Sequence, residues 1–194
     1  MIGESYFPLI AGQSSTYSVQ LIEYKITGEV DSTSYMLREV VADTFTNEAG
    51  EKIFILNRYK RSLSDDAYSI DSVWSIRRTN NQIIKVENNI PFVKLTFPVR
   101  ESTTWDGNIF NTKEEEIYSV SFEQDSAFGD VLRVLHSSID DTIVFQDQRF
   151  ERYANELGLV EKSMKVINYC TEAQCFGTGQ IDYGFIYNQK IVTE

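Results

Sequence analysis

Apolar side chains recur at every second residue along most of this chain, which restricts it to strands that bury one face. In the segment 68–76, Tyr68, Ile70, Trp74 and Ile76 fall on one side and mostly small or polar residues on the other. Val93, Leu95, Phe97 and Val99 alternate with Lys94, Thr96 and Pro98, which assigns Lys94 and Thr96 to the opposite face. Tyr118, Val120 and Phe122 repeat the pattern, as do Ile181, Tyr183, Phe185 and Tyr187. Further strands are expected over 17–24, 35–46, 53–61, 82–87, 131–136 and 160–167. Turn residues separate them: Asn47 to Gly50, Asp65-Asp66, Asn80-Asn81, Asp106-Gly107 and Asp140-Asp141.

About ten closely spaced strands without intervening helical segments predict an antiparallel all-β domain. A half-barrel or open barrel is expected, with a β-sandwich as the alternative and at most one or two short helices. One segment resists, since Phe150, Tyr153, Ala154 and Leu157 also stand at helical spacing with Gly158 as a C-terminal stop. Over 147–158 periodicity alone does not choose between helix and strand-turn. The 194 residues show no repeat, Pro/Gly-rich linker or shift in composition, and a single domain over 1–194 follows.

Charge excludes several partners. With 29 acidic against 18 basic side chains, the formal net charge is −11, which repels nucleic acid and an anionic membrane surface. A single histidine, His136, cannot form a multi-imidazole metal site, and two cysteines cannot form a four-thiolate one. No metal or cofactor is expected. No phosphate loop, dinucleotide glycine pattern or Gly-x-Ser-x-Gly elbow occurs. His136 therefore reads as a structural histidine at a strand end, and Glu114-Glu115-Glu116 as a solvated strand entrance. Asp106 with Asn108, and Asp140 with Asp141, read as turn formers and not as calcium ligands.

The 12 Phe, 11 Tyr and 2 Trp are first of all core in a chain of this type. Trp105, beside the Asp106-Gly107 turn, is the better candidate for an exposed sugar platform, with Trp74 the second. Cys170 and Cys175, with four residues between them, can close a small loop as a disulfide or remain as two inert thiols. No apolar run approaches the ~20 residues of a membrane span, and the chain reads as soluble. A chain trimmed of a signal peptide would read the same.

Several separated phrases, in order, resemble a known family. They are Tyr6-Phe7-Pro8-Leu9 followed by Gly12 and Tyr17-Ser18-Val19; Leu95-Thr96-Phe97-Pro98-Val99; Trp105-Asp106-Gly107-Asn108; and Glu151-Arg152-Tyr153-Ala154 running into Leu157-Gly158-Leu159-Val160. The family is a group of uncharacterised extracytoplasmic proteins of Bacteroidetes-type bacteria, commonly predicted lipoproteins. It usually carries an Asn and then a Trp shortly after the first glycine, where this chain has Gln13 and Ser15. The resemblance implies an envelope or periplasm-facing location, attached to a membrane only through a lipid anchor upstream. It reads 153–160 as strand, turn, strand, and assigns no catalytic residues.

The expected function is therefore a non-catalytic envelope protein whose curved sheet binds an apolar ligand or a partner. A carbohydrate-recognition module is the alternative, and an enzyme the third. The expected partners are accordingly a small molecule, a glycan or an envelope protein.

Overall fold

The computed structural model describes residues 3–193. It holds a single antiparallel sheet of twelve strands: β1 (Ser14–Tyr24), β2 (Val30–Thr46), β3 (Lys52–Ser62), β4 (Ser69–Arg78), β5 (Gln82–Glu87), β6 (Ile90–Thr96), β7 (Thr104–Asp106), β8 (Ile117–Asp125), β9 (Gly129–Asp141), β10 (Phe145–Ala154), β11 (Gly158–Tyr169) and β12 (Ile181–Ile191). The one helical element among the described residues is a 3₁₀ turn at Glu4–Tyr6. The spatial order β6-β5-β4-β3-β2-β1-β12-β11-β10-β9-β8-β7 joins two six-stranded meanders through the pairing of β1 with β12.

The edge strands β6 and β7 are consecutive in the chain, and the sheet curls until they nearly meet. Val93 N–H donates to Gly107 O at 2.9 Å, Trp105 Nε1 to Val93 O at 2.8 Å, and Asn111 Nδ2 to Pro91 O at 2.8 Å. These bonds form a seam without a continuous ladder, so the sheet is an almost closed barrel. Closing the sheet also shields the two edges that would otherwise offer unpaired backbone to other chains.

The all-β reading holds, and residues 145–154 form a strand, not a helix. Gly158 follows the turn at φ +84°, and Glu156 within it is also left-handed at φ +63°. The helical spacing of Phe150, Tyr153 and Leu157 is thus incidental to a strand and its turn.

Where strict alternation fails, a β-bulge is the cause. The β3–β4 register passes from Arg58↔Ser72 to Tyr59↔Ile70, leaving Asp71 as an extra residue. Beyond it the faces are exchanged, and Ile70 is 63% exposed instead of sharing the interior with Ile76. On β6, Lys94 is the extra residue between Val93↔Ile84 and Leu95↔Ile83. It is buried at 3% exposure, against its expected place on the face opposite Leu95. On β9, His136 is the extra residue between Leu135↔Phe150 and Ser137↔Arg149. It is an interior residue of a strand that continues to Asp141, and not a strand end.

The main core gathers Phe54, Leu56, Ile76, Leu95, Val120 and Leu132 with their neighbours, inside the curl of the sheet. One end of the barrel is crossed by residues 3–13. Gly12 N–H donates to Val41 O, Val41 N–H to Gln13 O, and Glu156 N–H to Ser5 O. Phe7 packs its ring 5.7 Å from that of Tyr153.

Candidate functional site

The curl leaves a cavity of about 330 Å³ inside the barrel, within the lower range of small-molecule sites. Its apolar wall includes Leu21, Val41, Leu56, Ile76, Leu159 and Phe185, and Phe7 and Leu9 contribute from the crossing segment. Most of these are successive inward positions of neighbouring strands, where alternation requires apolar side chains.

Two clusters of charge interrupt that wall. In the first, Arg58 Nε donates to Glu39 Oε1 at 2.9 Å, and Arg58 Nη1 reaches Asp71 Oδ2 at 3.2 Å and Ser72 Oγ at 3.1 Å. The guanidinium lies 3.7 Å from the ring centroid of Trp74, and Lys85 Nζ lies 4.7 Å from the same centroid. A partly desolvated cation over an indole face is attracted by its quadrupole. Lys85 is held less well by acids: Glu39 Oε1, already engaged by Arg58, stands 3.8 Å from its Nζ. Burial pushes its ammonium below the ordinary lysine value; Glu39 and Glu87 oppose this, whereas Lys94 and Lys162 add to it.

The second cluster centres on Glu151. Lys94 Nζ donates to its Oε1 at 2.6 Å, Tyr153 OH donates to its Oε2 at 2.5 Å, and Lys162 Nζ stands 3.4 Å from Oε1. Glu87 bridges the same two lysines, 3.3 Å from Lys94 and 3.5 Å from Lys162. Burial would raise both carboxyls, but the surrounding lysines outweigh it and hold them below the usual carboxylate range. Burial likewise acts against the charge of Lys94, and Glu151 and Glu87 overcome it.

His136 lies beside this cluster, its Nε2 3.7 Å from Glu151 Oε2 and its ring stacked on Tyr118 at 4.0 Å between centroids. Burial lowers its pKa to about 3 in spite of Glu151, with Lys94, Lys162 and Arg149 pushing the same way. At neutral pH the imidazole is uncharged. A second, more polar pocket of about 660 Å³ shares Lys94, Lys162 and Met164 with the first, and is lined further by His136, Tyr118 and Glu114 to Glu116. Glu116 pairs there with Arg149.

The two indoles do not share a site. Trp74 lines the cavity, half-buried, with Nε1 donating to Asn88 Oδ1 at 3.3 Å. Trp105 is only 8% exposed and uses its N–H on Val93 O in the seam. The expectation of an exposed sugar platform at Trp105 is thereby corrected. The tight turn presents the indole to the facing edge strand, not to solvent.

Asp106 and Asp141 act as turn formers. Asp106 Oδ1 accepts from the backbone of Asn108 and Glu116, and Asp141 Oδ1 from that of Ile143. Among the described residues no group of three or more His, Cys, Asp or Glu is placed to hold a metal ion. Cys170 and Cys175 are joined as a disulfide, with Cα atoms 5.8 Å apart.

Glu39, Arg58, Lys85, Glu87, Lys94, Glu151 and Lys162 did not stand out in the sequence. One signal was present for Glu39, which continues the inward series Tyr35, Leu37, Val41, where alternation demands an apolar side chain. Lys94 had no such signal, because its bulge reverses the face that alternation assigns.

No family model matches the chain, and no curated protein does. Among solved structures, the chain is similar to a candidate exported protein with a YmcC-like fold from Bacteroides fragilis NCTC 9343. The TM-score is 0.48 and the identity 10%, over 96% of this chain and 98% of that one. It is also similar to a candidate lipoprotein from Parabacteroides distasonis ATCC 8503, with a TM-score of 0.37 and 10% identity, again over 96% and 98%.

Proposed function

We propose that the protein is a non-catalytic component of the bacterial cell envelope that holds one small, predominantly apolar molecule inside its barrel. The observation that carries this reading is the cavity of about 330 Å³ between the two meanders, lined mainly by inward-facing aliphatic and aromatic side chains. A void of that size with an apolar wall and a few convergent polar groups is the usual form of a ligand site. The charged groups around it spend their hydrogen bonds and ion pairs largely on one another, which favours holding a molecule over converting it. An envelope location fits the Cys170–Cys175 disulfide, since such bonds persist outside the reducing cytoplasm. It also fits the family that the sequence phrases resemble.

The test is a titration with N-phenyl-1-naphthylamine, whose fluorescence rises in an apolar site. The expected result is saturable binding at one site per chain, weakened in Val41→Phe and Ile76→Phe, which add volume to the cavity wall, while circular dichroism stays unchanged. Uptake that never saturates, or that both substitutions leave untouched, would place the dye elsewhere and overturn the reading.

A further inference from the structure

The apolar cavity has an unequal lining of charge, although the chain as a whole is strongly acidic. Four basic side chains, Arg58, Lys85, Lys94 and Lys162, line it with two carboxylates, Glu39 and Glu151. Glu87 serves Lys94 and Lys162 from just behind. Asp71, which meets Arg58, is more than one third exposed and solvated. Four interior cations thus face three interior carboxylates. Arg58 takes Glu39 at 2.9 Å and Lys94 takes Glu151 at 2.6 Å, with Glu87 left to Lys162. Lys85 shares Glu39 with Arg58 and stands farther from it, at 3.8 Å against 2.9 Å.

A second observation is independent of charge. Gln189 is 3% exposed, lines the same cavity, and accepts from Tyr187 OH through Oε1 at 2.7 Å. Its Nε2 has no hydrogen-bond partner. A buried amide N–H without an acceptor is costly, and so is a buried ammonium that must share its carboxylate with a second cation. In the same lining Gln13 Oε1 lacks a donor, whereas Gln189 Nε2 lacks an acceptor and Lys85 has no carboxylate within hydrogen-bond distance, its neighbour Glu39 standing 3.8 Å away.

We propose that the molecule held in the cavity is an amphipathic anion, whose acidic head is seated on Lys85 Nζ and accepts from Gln189 Nε2 while its apolar part lies along the aliphatic wall. This rests on the cavity being the ligand site and goes further by naming the ligand's class. The head supplies the missing carboxylate-like charge, completing the pairing of the interior. Trp74 backs Lys85 with its ring face and helps to hold the ammonium in place. A neutral apolar molecule would fill the volume but leave both donors unmet, and a cationic amphiphile would add to the excess.

Displacement of N-phenyl-1-naphthylamine by amphiphiles of one chain length, below their micelle concentrations, separates these cases. Dodecanoate and dodecyl phosphate are compared with 1-dodecanol and dodecyltrimethylammonium, the two anions distinguishing a carboxylate from a phosphate head. At least one anion is expected to bind about tenfold or more tighter than the alcohol, the value of one hydrogen bond to a charged group. The cation is expected to bind most weakly. Lys85→Met, and Lys85→Gln as a second variant, should bring anion and alcohol level in their displacement of the dye. Equal binding of anions and alcohol by the unaltered protein would overturn the anionic head and leave the cavity as an apolar site. An anion preference that survives both Lys85 substitutions would overturn Lys85 as its seat. Saturable dye binding with no displacement by any amphiphile would overturn the proposal, and failure of the dye itself to bind would overturn the cavity reading beneath it.

Discussion

Glu151 has two lysines, a tyrosine hydroxyl and a neutral imidazole arranged around a single carboxylate. Removing one partner of a buried ion pair leaves the other uncompensated, which costs about 3–5 kcal/mol. Glu151→Gln preserves the shape and removes the charge, so the unfolding free energy from denaturant titration should fall by that amount; a loss under about 1 kcal/mol would show the cluster to be solvated. His136 makes a prediction with a definite sign. Its pKa is about 3 when folded against an ordinary 6.5, so below pH 6.5 the unfolded chain takes up a proton that the folded one refuses. Stability should therefore fall with pH from about 6.5 downward, by up to about 1.4 kcal/mol per unit. Glu87 and Glu151, held low when folded, add their own loss as pH falls below their ordinary value near 4.5. Denaturation of His136→Gln between pH 7 and 5 should show a flat midpoint where the unaltered protein declines, and parallel slopes would contradict the buried neutral imidazole. In the sequence His136 reads as structural, which is compatible with its neutral state, but nothing local connects it to Glu151 on the neighbouring strand.

At the level of the strands, alternation is a rule about unbroken ladders, so it locates the elements and fails at their irregularities. Residues 82–87 form a strand with the expected bounds, and 118–122 and 181–188 lie within longer ones. The three-residue β7 passes for a turn because it is too short to show a period. Asp71, Lys94 and His136 are each the extra residue of a bulge, a device that re-aims a side chain without breaking the sheet. All three join the interior charge clusters or border them, which is why those clusters were least legible from spacing. Gly184 offers a test at this scale. It sits opposite Ile167 on β11 at φ +150°, and a Cβ there would meet Val166 O at 2.2 Å. The clash is with backbone, so Gly184→Ala must distort the β11–β12 ladder. A loss of roughly 1–3 kcal/mol is expected from chemical denaturation, and an unchanged midpoint would show that this part of the ladder yields freely.

Across the whole molecule, the two meanders meet firmly at β1–β12 and weakly at the β6–β7 seam, enclosing the cavity between them. The order of strands around such a barrel follows from pairing between distant segments, so period-two patterning predicts the class of fold without its closure. An apolar interior was foreseeable from the class, whereas the cations that line its cavity were not. The compartment has its own check: thiol titration of denatured, unreduced protein should find Cys170 and Cys175 blocked, and two reactive thiols would remove the cysteine support for an oxidising location. The central claim is that an amphipathic anion occupies the barrel interior beside Trp74, and Trp74 can report it directly. In Trp105→Phe, where Trp74 is the remaining indole, a bromine-labelled dodecanoate should quench the tryptophan fluorescence saturably, and unlabelled dodecanoate should reverse the quenching. Saturable binding of the labelled acid with no quenching of Trp74 would place the ligand outside the cavity and contradict the account.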